Sequence, residues 1–172
     1  LKTIHFDYNL DDYIIFDSLD GKVNDFNDLW SLFKLSYNNA DYRPIVFFSF
    51  GIEKLFFGEY IPAVSHAINC ILYFLVCISG LKLFRLLFTD EQQLVLFFAV
   101  LLFSIHPINT EVVCSIKCRD NLLSMLFGLN STIFFIQFLS NKKILYLFIS
   151  FLFSMIAILS KLDAMGFLVL NI

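Results

Sequence analysis

Long apolar runs, separated by short polar turns, fill the chain after Pro62, whereas the residues before it are more polar. A helix needs roughly 20 predominantly apolar residues to cross a bilayer. The predicted spans are Pro62–Phe88, Leu94–Ile105, Leu122–Leu139 and Ile144–Leu159, and a fifth begins at Ala164. We therefore expect an all-α, multi-pass integral membrane protein, with residues 1–61 as a first loop and residues 62–172 as transmembrane helices.

The first loop contains a segment with helical periodicity, Asn24–Ser36. Apolar side chains three and four positions apart lie on the same side of a helix. Those of this segment are Phe26, Leu29, Trp30 and Phe33. Because tryptophan favours the membrane–water boundary, we predict an amphipathic helix at the bilayer surface, with all four side chains on one face.

A second helix is predicted in the loop between Pro44 and Gly58. Proline suits the first turn of a helix, and glycine suits the position after its end. The apolar stretch between them is too short for a crossing and contains Glu53 and Lys54. An interfacial helix that lies on the bilayer therefore fits better than a transmembrane one.

Composition supports a membrane protein and excludes other classes. Of 172 residues, 59% are hydrophobic and 16% are charged, whereas an average soluble domain is about 45–50% apolar and about 25% charged. A net charge of −3 without a basic patch excludes nucleic acid as an expected partner. The four cysteines lack disulfide or zinc spacing and are expected to pack as small apolar residues. Without an initiator methionine, and with an end inside an apolar run, the chain is expected to be an internal fragment.

The positions of lysine and arginine predict the orientation in the membrane. Lys82 and Arg85 lie near the end of the first span, and Lys142 and Lys143 lie two crossings later. Basic residues mark cytoplasmic loops, and two crossings return the chain to the same side. The opposite, extracytoplasmic side would hold residues 1–61, 106–121 and 160–163.

The unusual polar residues of the chain all fall on that extracytoplasmic side. Polar groups at membrane depth are costly, so their gathering at one boundary indicates an active site there. The candidates are Asp11, Asp12, Arg43, His66, His106, Glu111, Arg119, Asp120 and Lys161. No set of them has the spacing of a metal site, and the need for a divalent metal stays open.

The charged candidates also have purely structural interpretations. Asp11 and Asp12 are potential general bases for a hydroxyl group, or else part of a solvated turn or a helix N-cap. Arg119 suits a phosphate, but it equally suits a pair with Glu111 or Asp120 that pins the loop. Spacing alone leaves these alternatives open.

A polar stripe runs along the first span. His66, Asn69 and Tyr73 recur at helical spacing toward its extracytoplasmic end. Such a stripe suits the wall of a binding site, but hydrogen bonds between transmembrane helices would also explain it.

Short motifs in a fixed order connect these candidates. They are Asn9-Leu10-Asp11-Asp12-Tyr13, Tyr42-Arg43-Pro44, Phe57-Gly58 with His66 and Asn69, His106-Pro107-Ile108-Asn109-Thr110-Glu111-Val112-Val113, Arg119-Asp120 and Ser160-Lys161. In order and spacing, the set resembles the membrane-embedded GT-C glycosyltransferases, and among them the transmembrane, tetratricopeptide-repeat O-mannosyltransferases and their bacterial relatives. The resemblance covers nearly the whole chain. One departure is Leu162, which follows Lys161 where the family commonly has an acidic residue.

The resemblance implies a GT-C-like helix bundle and a sugar-transfer reaction. Such an enzyme would move a sugar, here mannose, from a polyprenyl-phosphate donor to a hydroxyl of a protein acceptor on the extracytoplasmic face, with inversion. The family motif places Asp11 or Asp12 at the catalytic centre as the base. The donor's phosphate and sugar would be bound by Arg43, His66, His106, Glu111, Arg119, Asp120 and Lys161.

Two other functions are compatible with the sequence: a transporter or flippase of a lipid-linked substrate, and a non-catalytic membrane scaffold. A transporter requires polar residues along the whole membrane depth, whereas here they crowd at one side, which favours the enzyme. The expected partners are membrane lipid, a polyprenyl- or dolichyl-phosphate sugar and a protein acceptor. The expected location is the bacterial inner membrane or the endoplasmic reticulum membrane.

Overall fold

The computed structural model describes residues 10–19, 21–35, 42–88 and 93–171, without the side chains of residues 10, 11, 14 and 18. Every regular element in these ranges is helical. The α-helices are α1 (Leu10–Leu19), α2 (Pro44–Phe57), α3 (Pro62–Leu87), α4 (Gln93–Ile105), α5 (Asn109–Cys114), α6 (Arg119–Asn141), α7 (Ile144–Ser160) and α8 (Met165–Leu170). Short 3₁₀ helices cover Phe26–Lys34 and Leu162–Ala164. The predicted polar turn at residues 89–92 lies outside the described residues.

Two of these helices, α3 and α6, are long and apolar enough to cross a bilayer, with 26 and 23 residues. The apolar helices α4 and α7 are shorter, with 13 and 17 residues. All four coincide with predicted spans, and they expose large apolar side chains on their outer surfaces, such as Phe74, Leu94, Leu102 and Phe148. The all-α membrane architecture predicted from the sequence is confirmed.

The start of α6 differs from the prediction. The helix begins at Arg119 rather than at Leu122. Arg119 and Asp120 are buried in its first turn. Both side chains have charged partners on other elements, and a paired charge can be buried where an isolated one cannot. The apolar pattern therefore located the span correctly but placed its first residue too late.

The first loop packs α1, the 3₁₀ helix Phe26–Lys34 and α2 around an apolar core, to which Ile116 and Leu123 of the bundle also contribute. Its buried side chains include Leu19, Val23, Leu29, Leu32, Phe47 and Phe50. At Gly51, α2 comes so close to the 3₁₀ helix that an added Cβ would lie 2.7 and 2.8 Å from the terminal carbons of Leu32 and Leu29. The core is thus shared by the loop and the bundle, and α2 packs within it.

The segment predicted as an amphipathic α-helix is a 3₁₀ helix, and its faces differ from the prediction. Leu29 and Leu32 are buried, whereas Phe26 and Trp30 are 68% and 73% exposed. Because a 3₁₀ helix has three residues per turn, positions 29 and 32 share its inner side. The predicted single face that joined Leu29 to Phe26, Trp30 and Phe33 is therefore wrong.

A buried cluster of hydroxyl groups joins α6 to α7. The Ser131 hydroxyl lies 2.6 Å from the Ser154 hydroxyl and 3.0 Å from the Ser150 carbonyl oxygen. The Ser150 hydroxyl donates to the Ser131 carbonyl at 2.9 Å, and the Asn171 amide donates to the Ser131 hydroxyl at 2.8 Å. Small hydroxyl residues let helices approach closely in lipid, so this cluster sets the α6–α7 contact.

The turn between α6 and α7 is made by Lys142 and Lys143. Lys142 has a φ of 55°, in the left-handed region, and its N–H donates to the Phe138 carbonyl at 2.7 Å. Among the described residues, it is the only one besides glycine with a positive φ. The left-handed residue ends α6 and allows α7 to begin directly at Ile144.

Candidate functional site

Polar side chains of the described residues gather at the end of the bundle where α3 and α6 begin and α7 ends. The Lys161 ammonium donates to the Asn121 side-chain oxygen at 2.6 Å. The Arg119 Nε donates to the Asn69 Oδ1 at 3.1 Å. The basic residues that predict orientation lie at the opposite ends of α3 and α6. The structure therefore brings residues from distant parts of the sequence together at one boundary of the bundle.

A buried ion pair between Arg119 and Glu53 forms the centre of this cluster. The Arg119 guanidinium lies 2.8 Å from the Glu53 carboxylate, and the side chains are 0% and 1% exposed. The Ser65 hydroxyl donates to the second carboxylate oxygen, and Arg119 donates to the Ser65 carbonyl at 3.3 Å. The Phe50 ring centre lies 3.8 Å from the guanidinium. Arg119 thus connects α6 to α2 and α3.

The next residue, Asp120, contacts a second set of charges nearer the surface. Its Oδ2 pairs with the Arg43 guanidinium and lies 4.0 Å from the Lys161 ammonium. Its Oδ1 accepts the Asn121 backbone N–H at 2.6 Å. The Arg43 and Lys161 side chains are 18% and 23% exposed, compared with 5% for Asp120. Asp120 therefore contacts two partly accessible cations, of which Lys161 also lies 3.4 Å from the Asp163 carboxylate.

Arg43 and Lys161 line a polar cavity of about 230 Å³, whose wall is completed by Tyr42, Leu162 and Asp163. Lys161 and Asp163 also line a second cavity of about 400 Å³, which is mostly apolar and is bordered by α3, α4, α6 and α8. Guanidinium and ammonium groups are the usual partners of phosphate oxygens in proteins. The polar cavity therefore offers two cations to an anion, next to the exposed Asp163 carboxylate, which lies 3.4 Å from the Lys161 ammonium. The apolar cavity next to it suits an attached hydrocarbon.

Asp12 lies beside this cluster as a buried acceptor. It is 1% exposed, and its Oδ1 accepts the Lys117 backbone N–H at 2.7 Å. Because Lys117 lies in the turn before α6, this hydrogen bond attaches α1 to the segment that carries Arg119. In the described part of the chain, Asp12 is not among the residues that line the polar cavity. The side chain of Asp11 lies outside the described residues.

Three other candidates lie apart from the two cavities. His66 is buried in α3, whereas His106 and Glu111 are exposed near α5. The His106 Nδ1 accepts the Ile108 backbone N–H at 3.2 Å. A part for these three residues in donor binding stays a prediction. Within the described ranges, no three His, Cys, Asp or Glu side chains lie close enough to hold a metal ion.

The polar stripe on α3 makes hydrogen bonds to neighbouring elements. The Asn69 amide donates to the Ser115 carbonyl at 3.0 Å, and the Tyr73 hydroxyl donates to the Ser104 carbonyl at 3.0 Å. The structural alternative, hydrogen bonding between helices, is confirmed for Tyr73, which bonds to α4, and for Asn69, which accepts from Arg119 of α6.

Glu53 and Ser65 belong to the cluster but are absent from the predicted site. The sequence contained a signal for Glu53, which falls at helical spacing on the same side of α2 as Phe50 and the other buried residues, Val46 and Phe47. A charge on an apolar helix face requires a buried partner. Ser65 carried no such signal, because serine is common in transmembrane helices.

Proteins with similar sequences are named protein O-mannosyl-transferases. The chain is 33% identical over 124 residues to TMTC4 of Mus musculus, a match that covers 64% of the chain and 17% of that protein. It is 35% identical over 104 residues to TMTC3 of Homo sapiens, covering 60% and 11%. For tmtc2 of Xenopus laevis the identity is 34% over 118 residues, covering 68% and 14%. The chain thus spans less than a fifth of the length of these relatives. No family profile and no solved structure matches it. The resemblance to O-mannosyltransferases that the motifs indicated is confirmed.

Proposed function

We propose that the chain is the membrane-embedded, site-bearing part of a multi-pass protein O-mannosyltransferase. It would transfer mannose from a polyprenyl-phosphate donor to a protein hydroxyl on the extracytoplasmic side. The observation that carries the proposal is that Arg43 and Lys161 line one polar cavity, directly beside a mostly apolar one. The names of the similar proteins support the sugar and the acceptor. Because these relatives are vertebrate proteins, they favour the endoplasmic reticulum over a bacterial membrane.

The donor phosphate fits the polar cavity by charge. Arg43 and Lys161 are partly exposed and share the Asp120 carboxylate, so an incoming phosphate would find both cations already held in place. Fixed positive charge stabilises the negative charge that develops on a departing phosphate. The apolar cavity that shares Lys161 would receive the first part of the lipid. Arg119 is enclosed with Glu53, and we assign it to holding the site together.

The burial of Asp12 separates the roles of the two acidic residues. Its carboxylate is enclosed and accepts a backbone N–H, so we assign Asp12 to attaching α1 to the bundle. We assign to Asp11 the removal of the proton from the acceptor hydroxyl. The hydroxyl oxygen then bonds to the anomeric carbon while the bond from that carbon to the phosphate oxygen breaks. Attack from the face opposite the phosphate inverts the anomeric carbon.

The test uses the full-length protein in membranes, labelled mannosyl polyprenyl phosphate and an acceptor protein. Asp11→Asn is expected to lower kcat by about 10²–10⁴-fold, the usual contribution of a general base. Arg43→Gln and Lys161→Gln are expected to raise the donor KM by roughly tenfold or more, as for loss of a hydrogen bond to a charged group. Glu59→Gln, an exposed residue just after α2, is the control and should leave both constants unchanged. Full activity in Asp11→Asn would discard the base assignment.

A transporter or flippase is less well supported. The charged pairs of the described residues lie at one end of the bundle. The polar groups that join α6 to α7 are uncharged serines, and the asparagine after α8 that bonds to them is uncharged as well. A transport path needs sites for a charged head group at more than one depth. Movement of labelled lipid between leaflets with its sugar still attached would favour transport over transfer.

A further inference from the structure

Two adjacent residues, Arg119 and Asp120, hold α2 at two separate places. Arg119 pairs with Glu53 in the third turn of α2, whereas Asp120 pairs with Arg43, the residue before its first turn. We propose that Glu53 is a positioning residue, which acts through Arg119 to keep Arg43 at the polar cavity. The role of Arg43 in this inference rests on the proposed function.

The two ion pairs have opposite polarity, and together they fix the position of α2 along its axis relative to α6. The helix offers a carboxylate to Arg119 and a guanidinium to Asp120. Residues 43 and 53 are separated by about 15 Å of helix, at 1.5 Å per residue. If α2 moved along its axis by one turn, both pairs would break together. The position of Arg43 is therefore determined by a contact that lies three turns away.

Burial decides which of the two pairs is dominant. Arg119 and Glu53 are enclosed. The Glu53 Oε1 accepts the Ser65 hydroxyl, and the Arg119 Nε and Nη2 donate to the Asn69 side chain and the Ser65 carbonyl. Removing one partner of such a pair leaves an uncompensated buried charge, which is strongly unfavourable. The pair of Arg43 with Asp120 is partly exposed, and solvent weakens such pairs. The inner pair thus fixes α2, and the outer pair can yield when a phosphate binds.

The first experiment measures the position of Arg43 without any transfer reaction. Cysteines are introduced at Tyr42 and Leu162, which line the polar cavity with Arg43, after the native cysteines are replaced by alanine. A short thiol cross-linker should join the two new cysteines in full-length protein. Glu53→Gln is expected to abolish the cross-link, whereas Glu59→Gln should leave it unchanged. An undiminished cross-link in Glu53→Gln would overturn the positioning role.

The second experiment asks whether Glu53 acts on the donor through Arg43. Glu53→Gln is expected to raise the donor KM roughly tenfold, with a much smaller change in kcat, as for loss of one charge-assisted hydrogen bond. In the double variant with Arg43→Gln, the KM should equal that of Arg43→Gln alone, because coupled residues are not additive. A merely structural role would lower the amount of folded protein but leave the KM of the folded fraction unchanged.

A milder variant keeps the test decisive if Glu53→Gln does not fold. Ser65→Ala removes one hydrogen bond to the Glu53 carboxylate and leaves the ion pair intact, so it should weaken the cross-link and raise the KM in the same direction. Additive KM effects of the Glu53 and Arg43 substitutions would overturn the inference. If Arg43→Gln does not change the KM while Glu53→Gln abolishes the cross-link, the positioning holds and the assignment of Arg43 to the donor fails.

Discussion

Gly128 of α6 lies so close to Phe167 of α8 that a methyl group has no room between them. A Cβ added at Gly128 would lie 2.3, 2.4 and 2.7 Å from the Cδ2, Cε2 and Cγ atoms of the ring. Because Cγ is the first atom of the ring, the whole side chain would have to move. Inserting a methyl group into such a contact costs typically about 1–3 kcal/mol. Alanine also gains about 1 kcal/mol of helix propensity over glycine, so Gly128→Ala should lower stability by up to about 2 kcal/mol.

Two other helical glycines make matched controls. A Cβ added at Gly80 of α3 meets nothing within 4 Å, so Gly80→Ala should be neutral or stabilising. At Gly51 the added Cβ meets the terminal carbons of Leu32 and Leu29, which can rotate away. We therefore expect the stability to fall in the order Gly80→Ala, Gly51→Ala, Gly128→Ala.

Thermal unfolding in detergent, followed by a dye that reacts with newly exposed cysteines, would measure this order. Phe167 also lines the apolar cavity with Lys161, so Gly128→Ala should raise the donor KM as well. If Gly128→Ala were as stable as Gly80→Ala, the contact between α6 and α8 would not be as tight as described, and the reasoning would be refuted.

Three further predictions follow from buried or hydrogen-bonded polar groups. Arg119→Met should destabilise the protein by about 3–5 kcal/mol by leaving Glu53 unpaired, and adding Glu53→Leu should restore most of the loss in the same unfolding assay. Ser131→Val should cost about 1 kcal/mol because it removes hydrogen bonds between α6 and α7, and equal stability to wild type would contradict the cluster's role. Two backbone N–H groups lower the pKa of Asp28, so its stabilising effect is present above the ordinary aspartate pKa and is lost as the pH falls through the lowered value. Trp30 fluorescence should report this acid transition, and the transition should be absent in Asp28→Asn.

Hydropathy predicted the apolar helices well because the requirement is local. A run such as Pro62–Leu87 needs only its own length and composition to be identified as a candidate membrane span. The 3₁₀ helix was harder, because a nine-residue segment barely distinguishes a period of three from one of 3.6. The buried positions Leu29 and Leu32 fit the shorter period, whereas Phe26, three positions before Leu29, is exposed at the start of the helix.

The composition of the site was only partly predictable. The motifs drew attention to Arg43 and Lys161, which line one cavity, and to Asp120, which contacts both of them. The partner of Arg119 was not predictable from spacing, because Glu53 lies in another element and the ion pair depends on how α2 docks on the bundle. Local patterns indicate which charges need partners, whereas the tertiary fold determines which partner each charge obtains.

At the left-handed turn, Lys142 has an unfavourable backbone conformation but contributes a positive charge. Glycine would adopt this conformation without the roughly 1–2 kcal/mol that a side chain costs there. Lys142→Gly should therefore remove this cost and stabilise the corner between α6 and α7. The same change would remove one of two ammonium groups beside the membrane surface, and with it part of the preference that decides which side of the bilayer the corner occupies. The Lys142→Gly variant would then be more stable to heat, but its molecules would insert into the bilayer with a less uniform orientation.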